Sequence, residues 1–198
     1  MPIPQIVLTL PDWITKELDH LPPYLKTLEE RMSAVLRFAQ LNFEHDTGGP
    51  FAAGIFERDS GKLLTIGVNR VMAMNCSSAH AEVMALSVAQ KLLGTYDLGA
   101  QGQPAHQIVI NWRPCVLCYG AIIWSGVRSM VISGSGPELE DLTGFDEGPM
   151  HLNWKEELNK RGIEVVSDVL RAEACNLFRD FGKSTRHVYN SRLGEVSR

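Results

Sequence analysis

The sequence contains no apolar run approaching the roughly 18 residues that a membrane-spanning helix needs. The short apolar stretch at its start is interrupted by Pro2 and Pro4 and is preceded by no basic residue. A signal peptide normally begins with a positively charged region, so this stretch does not resemble one. We therefore expect a cytoplasmic location and no membrane partner.

The sequence also lacks an excess of basic over acidic residues. The 198 residues include 19 Lys and Arg against 23 Asp and Glu, which gives a formal net charge of -4. A protein that binds a polyanion mainly through its phosphates needs clustered basic side chains. The charge therefore argues against nucleic acid as the main partner.

Cysteine is scarce, with four residues in the chain. Thiols stay reduced in the cytoplasm, so these residues are expected to be ligands, nucleophiles or core residues rather than disulfide partners. Cys76 and Cys175 are expected to pack in the interior. Cys115 and Cys118 instead have the spacing of a metal site.

The chain shows no internal repeat, low-complexity tract or long linker. This indicates a single domain over residues 1–198, with an N-terminal extension at 1–23 and a C-terminal tail at 182–198. Strands that alternate with helices after an initial hairpin predict an α/β fold, with one mixed sheet and helices on both faces. Periodicity and turn residues predict helices at 24–42, 79–93, 115–125, 152–161 and 171–181, and strands at 51–57, 62–68, 108–110, 129–133 and 163–166.

The most informative motif is Pro114-Cys115-Val116-Leu117-Cys118. Proline is favoured in the first turn of a helix, and side chains three residues apart on a helix lie on one face. The positive end of the helix dipole favours thiolates over thiols there. Cys115 and Cys118 are therefore predicted to be two zinc ligands.

His80-Ala81-Glu82, at the start of an earlier predicted helix, supplies the remaining groups. His80 is predicted to be the third ligand, since a tetrahedral zinc with three protein ligands keeps its fourth position open for a water of lowered pKa. Residues two apart share one site only in the first turn of a helix. Glu82 is then a carboxylate beside the metal that moves protons and does not bind zinc.

Each half of this pattern has another explanation. A lone CxxC also occurs as a redox pair, and a lone histidine at a helix start is more often a cap or a core residue. A closed, non-catalytic zinc site would need a fourth ligand such as Cys76 or His106. Together, however, HxE and PCxxC form the signature of zinc-dependent deaminases.

On these motifs the chain resembles the cytidine-deaminase-like zinc superfamily and, within it, the bacterial guanine deaminases, some of which also act on the triazine ammeline. The resemblance runs from about Gly48 to Pro149 and resumes in the tail. It implies a three-layer α/β/α sandwich around a five-stranded mixed sheet and one Zn²⁺ per subunit. Its softer features are Gly49-Pro50-Phe51, Val68-Asn69-Arg70, the segment GAIIWSGV at 120–127 and the segment GFDEGP at 144–149.

The resemblance also implies roles for individual side chains. Phe51 would stack on the substrate ring, Asn69 would bind its polar edge, and Trp124 would wall the pocket. Glu147 would be a second proton shuttle. The C-terminal segment would close the active site, in some relatives from a partner subunit of a swapped dimer, which puts Tyr189 near the pocket.

One residue departs from the family pattern. The family commonly carries Ser/Thr-x-Glu before the Pro-Cys pair, whereas this chain has Asn111-Trp112-Arg113. Arg113 in place of an acid is expected to make the local field more positive, which would favour a more anionic substrate or raise the Lewis acidity of the zinc.

The predicted function is hydrolysis of guanine to xanthine and ammonia, a step of purine catabolism, by a homodimeric enzyme with a small nucleobase substrate. Ammeline, cytosine and guanosine remain alternative substrates. Two other classes stay open: an editor like the tRNA adenosine deaminases, which share the metal motif, and a non-catalytic zinc scaffold.

Overall fold

A computed structural model describes residue 3 and residues 5–190 of the chain. Its strands form one sheet in the order β2-β1-β3-β4-β5. The first strand pairs antiparallel with β2 and β3, whereas β3, β4 and β5 run parallel to one another. The strands are β1 (Ala52–Glu57), β2 (Leu63–Val68), β3 (His106–Ile110), β4 (Ser129–Ile132) and β5 (Glu164–Val166).

Helices cover both faces of this sheet. The helices are α1 (Trp13–Asp19), α2 (Leu28–Glu44), α3 (Val71–Met74), α4 (Ala81–Leu93), α5 (Val116–Ser125), α6 (Glu138–Thr143), α7 (Trp154–Lys160) and α8 (Arg171–Gly182). One core cluster joins α1, α2 and α8 to one face of the sheet, and a second joins α4, α5 and α7 to the other. The predicted α/β/α sandwich around a five-stranded mixed sheet is confirmed.

Successive residues of the strands alternate between the two cores, as the pleat of a sheet requires. On β1, for example, Ala52 and Phe56 belong to one cluster, while Ala53 and Ile55 belong to the other. Both faces of the central strands are therefore buried, and the strands read as continuous apolar runs.

The N-terminal part of the chain differs from its prediction. The second helix begins at Leu28 and not at Tyr24, because Thr27 and Glu30 form a capping box in which each side chain accepts the other residue's backbone N–H. Within the segment predicted as an irregular extension, Trp13–Asp19 forms α1 and buries Ile14. Residues 1, 2, 4 and 191–198, including the end of the predicted tail, lie outside the described residues.

Among the described residues, no helix is both long enough and apolar enough to cross a membrane.

Gly67 on β2 lies directly beneath α4, the helix that begins at the HxE motif. A Cβ on Gly67 would lie 2.3 Å from the backbone N of Ala85 and 2.6 Å from the backbone O of Ala81. Both atoms are backbone, so they cannot turn aside as a flexible side chain would. A side chain at position 67 would therefore push the start of α4 away from the sheet.

We accordingly expect Gly67→Ala to lower the free energy of unfolding by about 1–3 kcal/mol, as overpacking of a well-filled core does. Urea unfolding measures this. Gly120→Ala is the matched control, because a Cβ there meets nothing within 4 Å and alanine is favoured inside a helix. A Gly67→Ala protein as stable as the control would contradict the close packing of β2 and α4.

Candidate active site

The candidate site lies where β1 begins and β2 and β3 end. Because β1 is antiparallel to both neighbours, Phe51, Asn69 and Asn111 meet at one edge of the sheet. The Asn111 side chain ties this edge together: its Oδ1 accepts from the Ala52 backbone N–H at 3.1 Å, and its Nδ2 donates to the Pro50 carbonyl at 2.9 Å.

Two helices begin at this edge. His80 is the N-cap residue of α4 and Cys115 that of α5, and both have extended backbone conformations. Neither side chain caps its own helix, so the His80 ring and the Cys115 thiol are available to a ligand. Cys118 lies in the first turn of α5 and is fully buried.

The three donors converge as a zinc site requires. His80 Nδ1 lies 3.4 Å from Cys115 Sγ and 3.5 Å from Cys118 Sγ, and all three ligand atoms lie within 4.8 Å of one another. Bonds of about 2.0–2.3 Å at tetrahedral angles separate the ligands of zinc by roughly 3.5 Å. One imidazole and two thiols at this spacing therefore fit Zn²⁺.

Within the described residues, no fourth side chain joins this cluster. The His106 ring is buried and its Nδ1 pairs with the Leu98 carbonyl at 2.6 Å, while Cys76 Sγ lies 3.3 Å from the Ser78 hydroxyl. The candidate fourth ligands are thus engaged elsewhere. The arrangement matches an open zinc site and not a closed structural one.

Two carboxyl groups adjoin the cluster. Glu82, in the first turn of α4, is 7 % exposed, and burial raises its pKa, as does the negative charge of Cys115. Burial and the Cys115 charge also raise the pKa of Glu147, to about 8. Burial therefore shifts both groups toward the protonated form in the protein alone, whereas a bound cation acts in the opposite direction.

The thiols differ from one another. Hydrogen bonds from Cys118 and His80 lower the pKa of Cys115 to about 4, so this thiol is ionised at neutral pH even before a metal binds. Burial raises the pKa of Cys118 well above its ordinary value. Burial lowers the pKa of His80, but its hydrogen bond to Cys115 and the nearby negative charges outweigh this and raise that pKa to about 9. Metal binding at neutral pH therefore releases protons from both Cys118 and His80.

The site opens into a cavity of about 400 Å³. Phe51, Asn69, Glu147 and Tyr189, all assigned to the site from the sequence, line it together with the metal ligand residues His80 and Cys115. Further lining side chains that the sequence did not single out are Val71, Ser77, Ile110, Val116, Leu117, Leu139 and Asn190.

The described part of the tail closes this cavity on its own chain. Asn69 Nδ2 donates a hydrogen bond to the Tyr189 hydroxyl, and the Tyr189 ring packs edge-on against Phe145 with centroids 4.9 Å apart. Asn69 Oδ1 in turn accepts from the Val71 backbone N–H at 3.3 Å.

No sequence pattern pointed to the residue that holds the backbone of Asn69 in place. Asn42, on α2, is completely buried, and its Nδ2 donates to the carbonyls of Gly49 and Asn69 at 2.8 and 2.9 Å. A lone asparagine in an amphipathic helix carries no signal in the sequence, because only the fold shows which loop it meets.

Trp124, assigned to the pocket wall from the resemblance, lies away from this cavity in the structure. Its side chain is 85 % exposed and does not line the cavity. The buried side of α5 carries Cys118, Ile122 and Ser125. Residue 124 is two positions from Ile122, so it lies on the other side of the helix.

The expectation for Arg113 also needs correction. Arg113 lines the cavity, but its Nη2 forms an ion pair with Glu140 Oε1 at 3.1 Å. The carboxylate comes from α6, a helix that the sequence did not predict. The pair is neutral as a whole, so Arg113 does not make the local field strongly positive, and the argument for a more anionic substrate fails.

This combination of fold and site is that of a zinc-dependent hydrolytic deaminase. A family model for the cytidine and deoxycytidylate deaminase zinc-binding region matches residues 25–134. The chain belongs to this family, and its cofactor is zinc.

Solved structures resemble the chain over most of its length, and curated proteins resemble it over half to about two thirds of its length. A guanine deaminase from Nitrosomonas europaea is 45% identical, covers 91% of this chain and 97% of its own, and has a TM-score of 0.86. A structure in complex with 2,6-diaminopurine is also 45% identical, with coverage of 95% and 98% and a TM-score of 0.87. The guanine deaminase of Bacillus subtilis is 33% identical over 50% of this chain and 59% of its own. A tRNA-specific adenosine deaminase of Buchnera aphidicola is 27% identical over 63% of this chain and 76% of its own.

Removal of the Glu140 carboxylate should destabilise the site. In Glu140→Ala the guanidinium of Arg113, whose side chain is 13% exposed, loses its ion partner, which should lower the free energy of unfolding by about 1–3 kcal/mol. Urea unfolding measures the loss. Glu157→Ala, which removes exposed pairs with Lys160 and Arg161, is the control and should cost less. Equal losses in the two variants would mean that the Arg113–Glu140 pair is no more than a surface contact.

Proposed function

We propose that this protein is a guanine deaminase, which converts free guanine and water to xanthine and ammonia. The observation that carries the proposal is its likeness to the guanine deaminase of Nitrosomonas europaea, at 45% identity across 91% of the chain. The curated guanine deaminase of Bacillus subtilis and the complex with 2,6-diaminopurine, also a purine base that bears an amino group, support the same substrate class.

His80, Cys115 and Cys118 would hold the zinc ion. When bound by three protein ligands, zinc supplies a Lewis acid that ionises a water molecule near neutral pH.

Proton movement falls to the two carboxyl groups. Glu82 accepts the proton of the attacking water on a carboxylate oxygen and passes it to the ring nitrogen beside the reacting carbon. Glu147, whose pKa is raised by burial, donates a proton toward the departing amino group and regains one from the second proton of the attacking water as the carbonyl forms, so the two protons of the water end on the ring nitrogen and on ammonia. Both line the same cavity, with Glu82 buried and Glu147 partly buried, and this burial strengthens each electrostatic interaction.

The remaining residues bind and orient the base. Phe51 immediately precedes β1 and lines the cavity, where its ring can stack on the ring of the base. Asn69 and Tyr189 bind the polar edge as a pair: Tyr189 accepts a hydrogen bond from Asn69, so the hydroxyl proton of Tyr189 is free to donate to a carbonyl oxygen of the base.

The quaternary state and location complete the proposal. On α5 the exposed apolar side chains of Val116, Leu117 and Trp124 support a homodimer through this helix. A tail donated by a partner subunit is not needed to bring Tyr189 to the cavity, since the chain's own tail reaches it. The free cysteines support a cytoplasmic location. The conversion of guanine to xanthine would place the enzyme in purine catabolism.

Replacement of Glu82 by Gln tests the proposed proton transfer. Glu82→Gln keeps the size of the side chain but cannot accept a proton. We therefore expect kcat to fall by about 10²- to 10⁴-fold, with one zinc per chain retained. Ammonia release and metal analysis measure the two properties. His80→Ala is the comparison that should lose zinc, and His20→Ala, at an exposed site, should lose neither. Near-normal turnover in Glu82→Gln would refute its role.

A substrate panel tests the identity of the base. Steady-state ammonia release should favour guanine over ammeline, cytosine and guanosine. The panel should include tRNA, because a tRNA-specific adenosine deaminase is among the relatives, although the net charge of -4 argues against a polyanion. Preference for another base would reassign the substrate within the family, and salt-sensitive binding of tRNA would favour the editor.

A further inference from the structure

The loop at 144–150, between α6 and α7, carries Glu147 to the cavity without the support of regular secondary structure. Gly144 and Gly148 flank the Phe145-Asp146-Glu147 segment, with φ angles of 79° and 69° in the left-handed region that favours glycine. Packing of Phe145 against Phe51 and Phe181 holds the start of the segment between these glycines, and the place of Glu147 depends on how the backbone after Phe145 is held.

Hydrogen bonds within the loop determine its local shape but not its position relative to the zinc site. Asp146 Oδ1 accepts from the Gly148 backbone N–H at 2.8 Å, and the Thr143 hydroxyl accepts from the Phe145 backbone N–H at 3.2 Å. These bonds join residues two apart in sequence. They would survive if the whole loop moved away from the zinc site.

Asn190 makes the polar connection from the loop to another part of the chain. Its Nδ2 donates to the Gly144 carbonyl at 2.7 Å, and its Oδ1 accepts from the Asp146 backbone N–H at 2.8 Å. One planar amide thus holds two backbone groups of opposite polarity, the second of them immediately before Glu147. A primary amide presents a donor and an acceptor side by side, as this pairing requires.

The segment that bears Asn190 is itself anchored. Arg186 forms an ion pair with Asp46 and donates to the Glu44 carbonyl at 3.3 Å, which attaches this segment to the end of α2. Tyr189 adds its packing against Phe145. These contacts hold the segment that carries Asn190 against α2 and Phe145.

We propose that Asn190 is a positioning residue for proton transfer: its amide fixes the backbone of residues 144–146 and thereby holds the Glu147 carboxyl in the cavity. The proposal rests on the proposed function, in which Glu147 donates a proton. Asn190 acts through Glu147 and not on the substrate.

Asn190→Ala removes both hydrogen bonds and should lower kcat about 10- to 100-fold with less than about a 3-fold change in KM, because small displacements of a reacting group cost rate more than binding. Asn176→Ala, at an exposed position on α8 away from the cavity, is the matched control and should leave both constants unchanged. An unchanged kcat in Asn190→Ala would overturn the proposal.

A double variant separates positioning of Glu147 from a general structural role. In a Glu147→Gln background there is no carboxyl left to position, so Asn190→Ala should lower the remaining kcat by less than about 2-fold. If the loss is the same factor in both backgrounds, Asn190 does not act through Glu147.

Hydrogen exchange supplies a readout that needs no turnover. We expect the Asp146 amide to exchange at least about 5-fold faster in Asn190→Ala than in the wild type or Asn176→Ala, as measured by NMR on the full zinc-loaded chain. Equal exchange rates would refute the proposal that Asn190 holds the backbone of Asp146, whatever the substrate is. If guanine fails as a substrate, the exchange result still decides on Asn190, and the kinetic comparison uses the base that the panel identifies.

Discussion

The convergence of two helix starts on one point is the constraint on which the rest of the site depends. His80 and Cys115 both occupy N-cap positions, so their backbones are extended and their side chains leave the helices toward the same space. The sheet decides that these starts meet, because α4 follows β2 and α5 follows β3 at a common edge. Gly67 lets α4 approach closely enough for His80 to reach the two thiols.

Around this rigid centre the site is completed by parts of the chain that have little regular structure. The zinc ligands and Glu82 lie on or beside well-packed helices, whereas Glu147, Tyr189 and Asn190 lie in a loop and in the segment after α8. The metal ligands and Glu82 are thus built into the core of the fold. The second carboxyl and the closure of the cavity depend instead on contacts between two irregular segments, which leaves them more open to adjustment.

The zinc site could be predicted from the sequence because its chemistry follows from local patterns. The spacing of three residues brings Cys115, at the N-cap of α5, and Cys118, in its first turn, to the same side, and proline marks the start of that helix. Trp124 could not be placed in the same way: α5 is apolar nearly all round, so periodicity does not show which side is buried.

Ion pairs and hydrogen bonds between residues far apart in the sequence could not be predicted, for a different reason. Arg113 was noticed as a departure from the family, but its partner Glu140 lies 27 residues further on, in a short helix with no clear period. Asn190 and Asp146 are 44 residues apart. Such pairs depend on the final packing of the chain, and a single sequence carries no record of them.

The contact between Asn69 and Tyr189 has a consequence for the catalytic cycle. Tyr189 also lines a second cavity, with His187, Met72 and Gly49 among its other walls, so this one ring separates the substrate chamber from a neighbouring space. While Asn69 and Tyr189 stay in contact the two spaces are separate, and movement of the segment that carries Tyr189 would join them, which would make access to the site depend on the contacts of Asn69 and Arg186.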